Sequence, residues 1–403
     1  MSSEVSTAGA VLFNPYDYGF HEDPYPVYRR LRAEAPLYHN PDLGFWALSR
    51  HADVAAGFRD HARLSSANGV SLDPAAYGPH AHLSMSFLAM DDPRHQRLRK
   101  LVSRGFTPQR VNEKADRISE LTRTHLEPAL AQGNFDWIER VAGRLPMDVI
   151  SELMGVPAAD RAELRRLADL VVHREEGVLD VPGPAIEASV RLMGYYADML
   201  ADRRRTPRDD LTSALVAADV DGDRLTDREI IGFLFLMVVA GNETTTKLLG
   251  NALYWAARHP GEYAKVAADP DRVPEWIEET LRYDTSSQVI ARTAAVDLDF
   301  HGSVVPAGAK VLLLVGSANR DPEVFDDADA YRIGRDSTRT LVSFGGGIHF
   351  CLGAHLARLE ARIALREFVA RVREYGVGDA GIERIHSTNV RGFAALPISV
   401  STR

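Results

Sequence analysis

The chain holds one cysteine, Cys351, inside the stretch FGGGIHFCLG, Phe344 to Gly353. Three glycines and a histidine precede it, and LGAHLARLEARIALREFVARV, with helically spaced apolar residues, follows it. A thiol at a helix start meets unpaired backbone N–H groups and partial positive charge, and both favour thiolate over thiol. Glycines on the approach let the backbone come close to a flat partner. Four readings of such a cysteine compete. It can be a buried structural thiol. It can be a nucleophile, with His349 or His355 as its base. It can stand beside a dinucleotide loop, or ligate haem iron as a thiolate. The dinucleotide reading fails on spacing: after Gly345 and Gly347 the fingerprint requires glycine at the position of Phe350.

Other stretches also carry chemistry. AGNETTT, Ala240 to Thr246, ends the apolar run IIGFLFLMVVAG. An acid and three threonines are weak helix formers and odd neighbours for a buried run. A hydroxyl there can bond back to the helix and loosen a turn, and beside a carboxylate it can relay protons. Glu243 and Thr244 are therefore candidates. In DDPRHQRLRKLVSRGF, Asp92 can cap a helix, Pro93 suits its first turn, and His95 and Arg99 share one face at i,i+4. EETLR places Glu279 and Arg282 at i,i+3, which taken alone reads as a solvated surface pair.

These residues need a scaffold, and the composition supplies one. The 403 residues are 45% hydrophobic and 26% charged, as in a soluble globular protein long enough to enclose a bulky ligand. A net charge of -9 argues against nucleic acid as the partner. One cysteine excludes an internal disulfide and points to no oxidising compartment. The first residues lack the basic start and apolar run of a signal peptide, and the longest apolar run, Ile230 to Gly241, is too short to span a bilayer. A cytoplasmic protein without a membrane partner is expected.

Most of the chain reads as helix. Helix is predicted over Pro24 to Glu34 and from Asp92 to Arg204, interrupted near Glu175 to Glu187. Residues 66–90 read as loop, and Phe45 to Ser49 as a short strand. Thr226 and Glu229 form a capping box for a long helix that Pro260 stops, and a further helix opens at Pro274. VDLDFHG and AKVLLLVGS, flanking SVVPAG, predict a hairpin, and RGFAALPISVST predicts strand. No repeat or linker divides the chain. One mainly α domain with small β-sheets is expected over 1–403, residues 1–15 forming an N-terminal extension.

FGGGIHFCLG resembles the haem-binding signature of the cytochrome P-450 family, matching it at Phe344, Gly347, His349, Cys351 and Gly353, with histidine at the basic position. AGNETTT resembles that family's distal helix, where an acid–threonine pair, here Glu243 and Thr244, faces the oxygen-binding side. EETLR resembles the family's buried Glu-x-x-Arg lock, which ANRDPEVF completes with Arg332 of DAYRIGRD as a third member. DDPRHQRLRK resembles the helix that supplies a His and an Arg, here His95 and Arg99, to the haem propionates. Arg292 and His349 match two further propionate-binding positions.

The resemblance runs from Pro24 almost to the C-terminus. It implies a single prism-shaped cytochrome P-450 domain holding haem b (iron protoporphyrin IX), with Cys351 as the metal ligand. It further implies dioxygen as co-substrate, with Glu243 and Thr244 managing its protons, and hydroxylation or epoxidation of an apolar small molecule. Five regions would contact that substrate: 66–90, 170–195, Leu236 to Thr244, the SSQVI turn, and Val390 to Phe393. Electrons would come from a ferredoxin or flavodoxin with its reductase. Lys100 and Arg104 form an outward pair that Arg358 and Arg362 can extend into a basic patch for such a donor. Two alternatives stand beside this reading: peroxide-driven or non-oxygenating chemistry on the same fold, and a haem sensor or ligand carrier.

Overall fold

The computed structural model describes residues 11–220 and 222–403, without the side chains of residues 104 and 220; residues 1–10 of the expected N-terminal extension lie outside the described residues. Of that extension, Phe13 is fully buried and meets Tyr28, Tyr38 and Phe45 edge-on. Helix α1 (Tyr25–Glu34) carries prolines in its opening, where no N–H is missed.

One five-stranded sheet gathers distant parts of the chain. Strands β1 (Leu37–Asn40), β2 (Phe45–Leu48) and β3 (Leu64–Ser65) join β4 (Val289–Ala294) and a strand at Lys310–Leu314. The predicted hairpin is corrected here. The hairpin is β5 (Leu298–Phe300) against β6 (Ser303–Val305), turning at His301 and Gly302 with positive φ. Lys310–Leu314 (β7) instead runs antiparallel to β4 and parallel to β2. The physical reason is burial. Four successive residues of β7 are buried, as in a strand covered on both faces, whereas β5 and β6 each keep one side in water.

Most of the remainder is helical, with a three-stranded sheet of Asn134–Asp136, Val372–Val377 and Pro397–Thr402, the last within the predicted C-terminal strand. The helices that frame the site include α2 (Arg94–Val102), α3 (Ala115–Leu130), α4 (Leu145–Met154), α5 (Arg161–Val172), α6 (Gly183–Arg205), α7 (Asp227–Arg258), α8 (Val273–Tyr283) and α9 (Ala354–Arg371). The interruption before α6 ends at Gly183, with Pro184 in the first turn, rather than at Glu187. Helix α7 is the axle: its Thr226–Glu229 capping box is formed, and α4, α5, α6, α8 and α9 all pack against it. Its apolar run is buried on every side from Phe233 to Val238, which is why it shows no amphipathic stripe. Among the described residues no helix is long and apolar enough to cross a membrane.

Candidate active site

Cys351 and Thr244 line the same cavity from different elements. The FGGGIHFCLG loop and the first turns of α9 contribute Phe344, Gly345, Cys351 and Leu356, and α7 contributes Ala240, Gly241, Thr244 and Thr245. The glycines are required by the loop's path. Gly345 and Gly347 have φ of +68° and +62°, and a Cβ on Gly347 would stand 2.7 Å from the Phe58 carbonyl oxygen. With that approach permitted, the backbone N–H of Cys351 closes the loop on the Phe344 carbonyl at 3.0 Å.

The cysteine side chain is surrounded by protein but open to the cavity. Burial pushes its thiol up, and the N–H groups of Gly353 and Ala354 with the charges of Arg99 and Arg358 only partly offset this. The helix start favours the thiolate, as expected, but burial outweighs it. The site favours the thiolate only toward a cation at the sulfur, as a coordinated metal is. The nucleophile reading loses its bases: His355 turns to Asn112 at 3.1 Å, and His349 is too weakly basic.

His349 and Arg292 line the cavity, with His95 and Arg99 beside the cysteine loop next to them. The rings of His95 and His349 lie 4.2 Å apart, and Arg99 donates to the Phe350 carbonyl at 2.5 Å. Both ring nitrogens of His349, Nε2 of His95 and Nη1 of Arg99 are buried without a hydrogen-bond partner among the described residues. His95 Nδ1 has only Asp92, 3.4 Å away. Burial, then the charges of Arg292, His95 and Arg99, hold His349 down to about 2. Burial holds Arg292 to about 10. Buried donors of one sign without acceptors mark a place for an anion. A thiol aimed into a cavity, with such donors at its edge, fits an iron porphyrin with two carboxylates. The described residues therefore fit the group that the cysteine loop implies.

Glu243 and Thr244 part company. Thr244 lines the cavity, and its hydroxyl donates back to the Ala240 carbonyl at 2.8 Å. Glu243 points out of the cavity into packing between α7 and its neighbours, 3.1 Å from Lys247 and 3.2 Å from the Asn242 amide. Burial works against its charge, but Lys247 and hydrogen bonds from Asp169 and Lys247 hold the carboxyl below its usual range. Asp169, on α5, is a residue that sequence reasoning missed. Glu360 was also missed: it lines the cavity, one oxygen has no partner among the described residues, and burial pushes it up to about 8. Its i+9 position after Cys351 on an apolar helix face was the available signal.

The lock forms, with one correction. Arg282 and Glu279, both fully buried, make two hydrogen bonds at 2.7 and 2.8 Å, and Arg282 also reaches the carbonyls of Asn319, Ala328 and Ala330. Arg332 contributes only its backbone N–H, 2.7 Å from Glu279, while its guanidinium turns to Asp327. The third side chain is Arg335, 3.4 Å from Glu279.

Of the five regions expected around a substrate, three line the cavity, through Val70 and Phe87, Leu236 and Met237, and Ser286 and Ile290. Segments 170–195 and 390–393 do not. Val172 and Val390 instead pack on each other with Ile385 beside Val239.

A model of the cytochrome P450 family matches residues 187–373. The chain is 62% identical over 393 residues to "Putative cytochrome P450 123" of Mycobacterium tuberculosis, covering 98% of each. The bacillaene polyketide synthase cytochrome P450 PksS of Bacillus subtilis superposes with a TM-score of 0.88 at 33% identity, covering 97% of this chain and 100% of that one. CYP109E1 of Bacillus megaterium, solved with testosterone, does so with a TM-score of 0.87 at 30% identity, covering 94% and 97%.

Proposed function

The chain belongs to the cytochrome P450 family, and we propose how it works as one of that family's monooxygenases. The reading rests on one observation: a thiol and a threonine hydroxyl line a cavity that Arg292 and His349 also line, with His95 and Arg99 beside them, and buried nitrogens of His95, Arg99 and His349 have no hydrogen-bond partner among the described residues. Cys351 ligates the iron of haem b. His95, Arg99, Arg292 and His349 bind its two propionates, which supply the missing acceptors. Bound there, the haem supplies the activation of dioxygen and the transfer of one oxygen atom to a C–H bond or double bond.

The protein's own part is to orient and to hold protons. Phe87, Leu236, Met237 and Ile290 give the cavity an apolar lining that excludes water and suits a mainly apolar organic molecule. Thr244 presents a hydroxyl to the cavity, and Glu243 behind it holds a carboxylate that passes protons toward that hydroxyl. CYP109E1 was solved with a steroid, and a rigid apolar polycycle suits this lining as well. Electrons come from a separate ferredoxin or flavodoxin in the cytoplasm; a lone cysteine used as a metal ligand fits a reducing compartment.

The test is the carbon monoxide spectrum of the reduced protein. The strongly red-shifted Soret band of a thiolate-ligated haem is expected, with Cys351→His abolishing it. A histidine-type carbonyl spectrum in the unsubstituted protein overturns the reading.

A further inference from the structure

A second recess lies apart from the Cys351 cavity, between α1 and the segment 320–330. Arg29, Arg32 and Arg320 line it, with two acids, Asp327 and Asp329. Arg29 and Arg32 stand at i,i+3 on α1 and share a face. Arg29 is an exposed surface cation. Arg32 and Arg320 differ from it, being only 7% and 5% exposed. A buried cation is costly unless an anion meets it.

The acids nearby are engaged elsewhere. Asp329 serves Arg29, its Oδ2 accepting from Nη2 at 2.8 Å and from Nε at 3.2 Å. Its Oδ1 stops 3.7 Å from Arg320 Nη1, beyond hydrogen-bond reach. The exposed Asp327 carboxylate lies 3.7 Å from Arg332. Buried Asp321 gives its oxygens to the backbone N–H groups of His51 and Glu323, at 2.8 and 3.0 Å. Arg32 makes no ion pair among the described residues; its Nη1 donates to the carbonyl and hydroxyl of Ser317 at 2.9 and 3.0 Å. Arg32 Nε and Arg320 Nη2 have no hydrogen-bond partner among the described residues. Arg320 is also held still. Its Nε donates to the Tyr283 carbonyl at 2.7 Å. Its guanidinium sits 3.4 and 3.5 Å from the ring centroids of Tyr25 and Tyr283, which are 6.5 Å apart.

We infer that this recess binds a phosphate group, which meets Arg32 and Arg320 within and Arg29 at the rim. A guanidinium matches phosphate oxygens with parallel N–H donors, and a dianion balances two cations that no carboxylate hydrogen-bonds. A stacked, immobile Arg320 loses little freedom on binding. Arg29 leaves one side of the recess in water, so free phosphate and a phosphate ester present the same chemistry to it. Ala328 and Ala330 line the recess and also give their carbonyls to Arg282 of the buried lock. A phosphate joining α1 to this segment holds from outside what Arg282 holds from the core. It stabilises the fold and takes no part in the chemistry at Cys351.

Equilibrium dialysis of the haem-loaded protein against radiolabelled inorganic phosphate tests this, with ionic strength fixed by chloride. Saturable binding of one equivalent is expected. Arg29→Gln removes one charge-assisted contact and should weaken binding about tenfold. Asp329→Asn removes the carboxylate that repels the ion and should tighten it several-fold. Both side chains are exposed, so both variants should fold and keep their haem. The urea midpoint should rise once phosphate exceeds its dissociation constant, and in Arg29→Gln the rise should begin at correspondingly higher phosphate.

Competition with adenosine monophosphate separates the two sources. Displacement of the labelled phosphate supports a site that takes phosphate esters; retention of the label supports one for the free ion. No saturable binding at millimolar phosphate overturns the inference, as does an affinity unchanged in Arg29→Gln. Weaker binding in Asp329→Asn overturns it too, because the three arginines would then hold only each other's carboxylate partner and no ligand.

Discussion

Two clusters of buried charge lie within the same core and end differently. In the Glu279–Arg282 cluster, five hydrogen bonds leave Arg282 and one reaches Glu279 from the Arg332 backbone; neither residue has an unsatisfied buried atom among those described. In the His95–Arg99–Arg292–His349 cluster both arginines are cationic, no member is acidic, and buried nitrogens of His95, Arg99 and His349 have no hydrogen-bond partner among the described residues. Both sit in low dielectric, where an unpaired polar group is costly. The first pattern is what folding alone selects. The second persists only where something outside the polypeptide completes it, and so satisfaction of hydrogen bonds, rather than burial, separates the charges that hold the fold from those that hold a ligand.

The strongest way to break this comparison is at the closed cluster. Arg282→Ala leaves Glu279 buried without its counter-charge and three carbonyls without a donor. Removing one partner of a buried pair costs about 3–5 kcal/mol, a large share of the roughly 5–15 kcal/mol by which a domain is stable. The expected outcome is loss of soluble protein, or a far lower urea midpoint, with or without haem. A soluble protein with an unchanged midpoint would show that the lock is not one.

The open cluster should respond in the opposite way. In haem-free protein, His349→Phe removes a group whose charge the fold suppresses, so the urea midpoint at neutral pH should hold or rise slightly. The same substitution should hasten haem transfer to apomyoglobin. The pH dependence sharpens this. His349 is held at about 2, against an ordinary value near 6.5. Between these values the unfolded chain binds more protons than the fold, so His349 costs haem-free stability as pH falls below about 6.5. His349→Phe should flatten that acid limb. A loss of haem-free stability as large as that of Arg282→Ala would erase the distinction between the clusters.

How far the sequence anticipated each cluster follows from the reach of local pattern. The cysteine loop and the capping box of α7 lie within ten residues each, and their backbone logic is local; both were legible. EETLR has the spacing of a surface pair, and its burial is set by carbonyls dozens of residues away. Arg332 and Arg335 are equally near in sequence, and which side chain turns inward depends on the path of a loop. Asp169 stands 74 positions before Glu243, and their contact is created by the packing of α5 on α7. Three strand-like runs in a row looked like one hairpin, because β-pattern marks strands without naming their partners. That the helix start favours a thiolate is visible in sequence; the burial that opposes it is not.

The smallest effect concerns charge that is neither locked nor awaiting a ligand. The expected basic patch needs revision. The side chain of Arg104 lies outside the described residues. Arg358 is engaged elsewhere, bonded to Glu278 at 2.6 and 3.0 Å with its guanidinium over Phe344. Arg97 is likewise held by Asp223 and Glu229. Lys100, Arg110 and Arg362 remain exposed. The bond from Arg99 to the Phe350 carbonyl brings the end of α2, and Lys100 with it, beside the cysteine loop, where the Phe350 side chain is also exposed. The contact of His355 with Asn112 sets the short helix bearing Arg110 against α9. Exposed cations around an apolar contact, on the thiol side of the cavity, suit an acidic electron donor steered by charge. Surface substitutions of this kind shift stability by about 0.5 kcal/mol or less, so any effect is on encounter. Lys100→Glu with Arg362→Glu should slow the first electron transfer several-fold at low ionic strength, measured by stopped-flow reduction under carbon monoxide. Raising salt should slow the wild-type protein and narrow the gap between the two. Reduction rates indifferent to both the reversal and the salt would place the donor on another face, and would leave the comparison of the two buried clusters untouched.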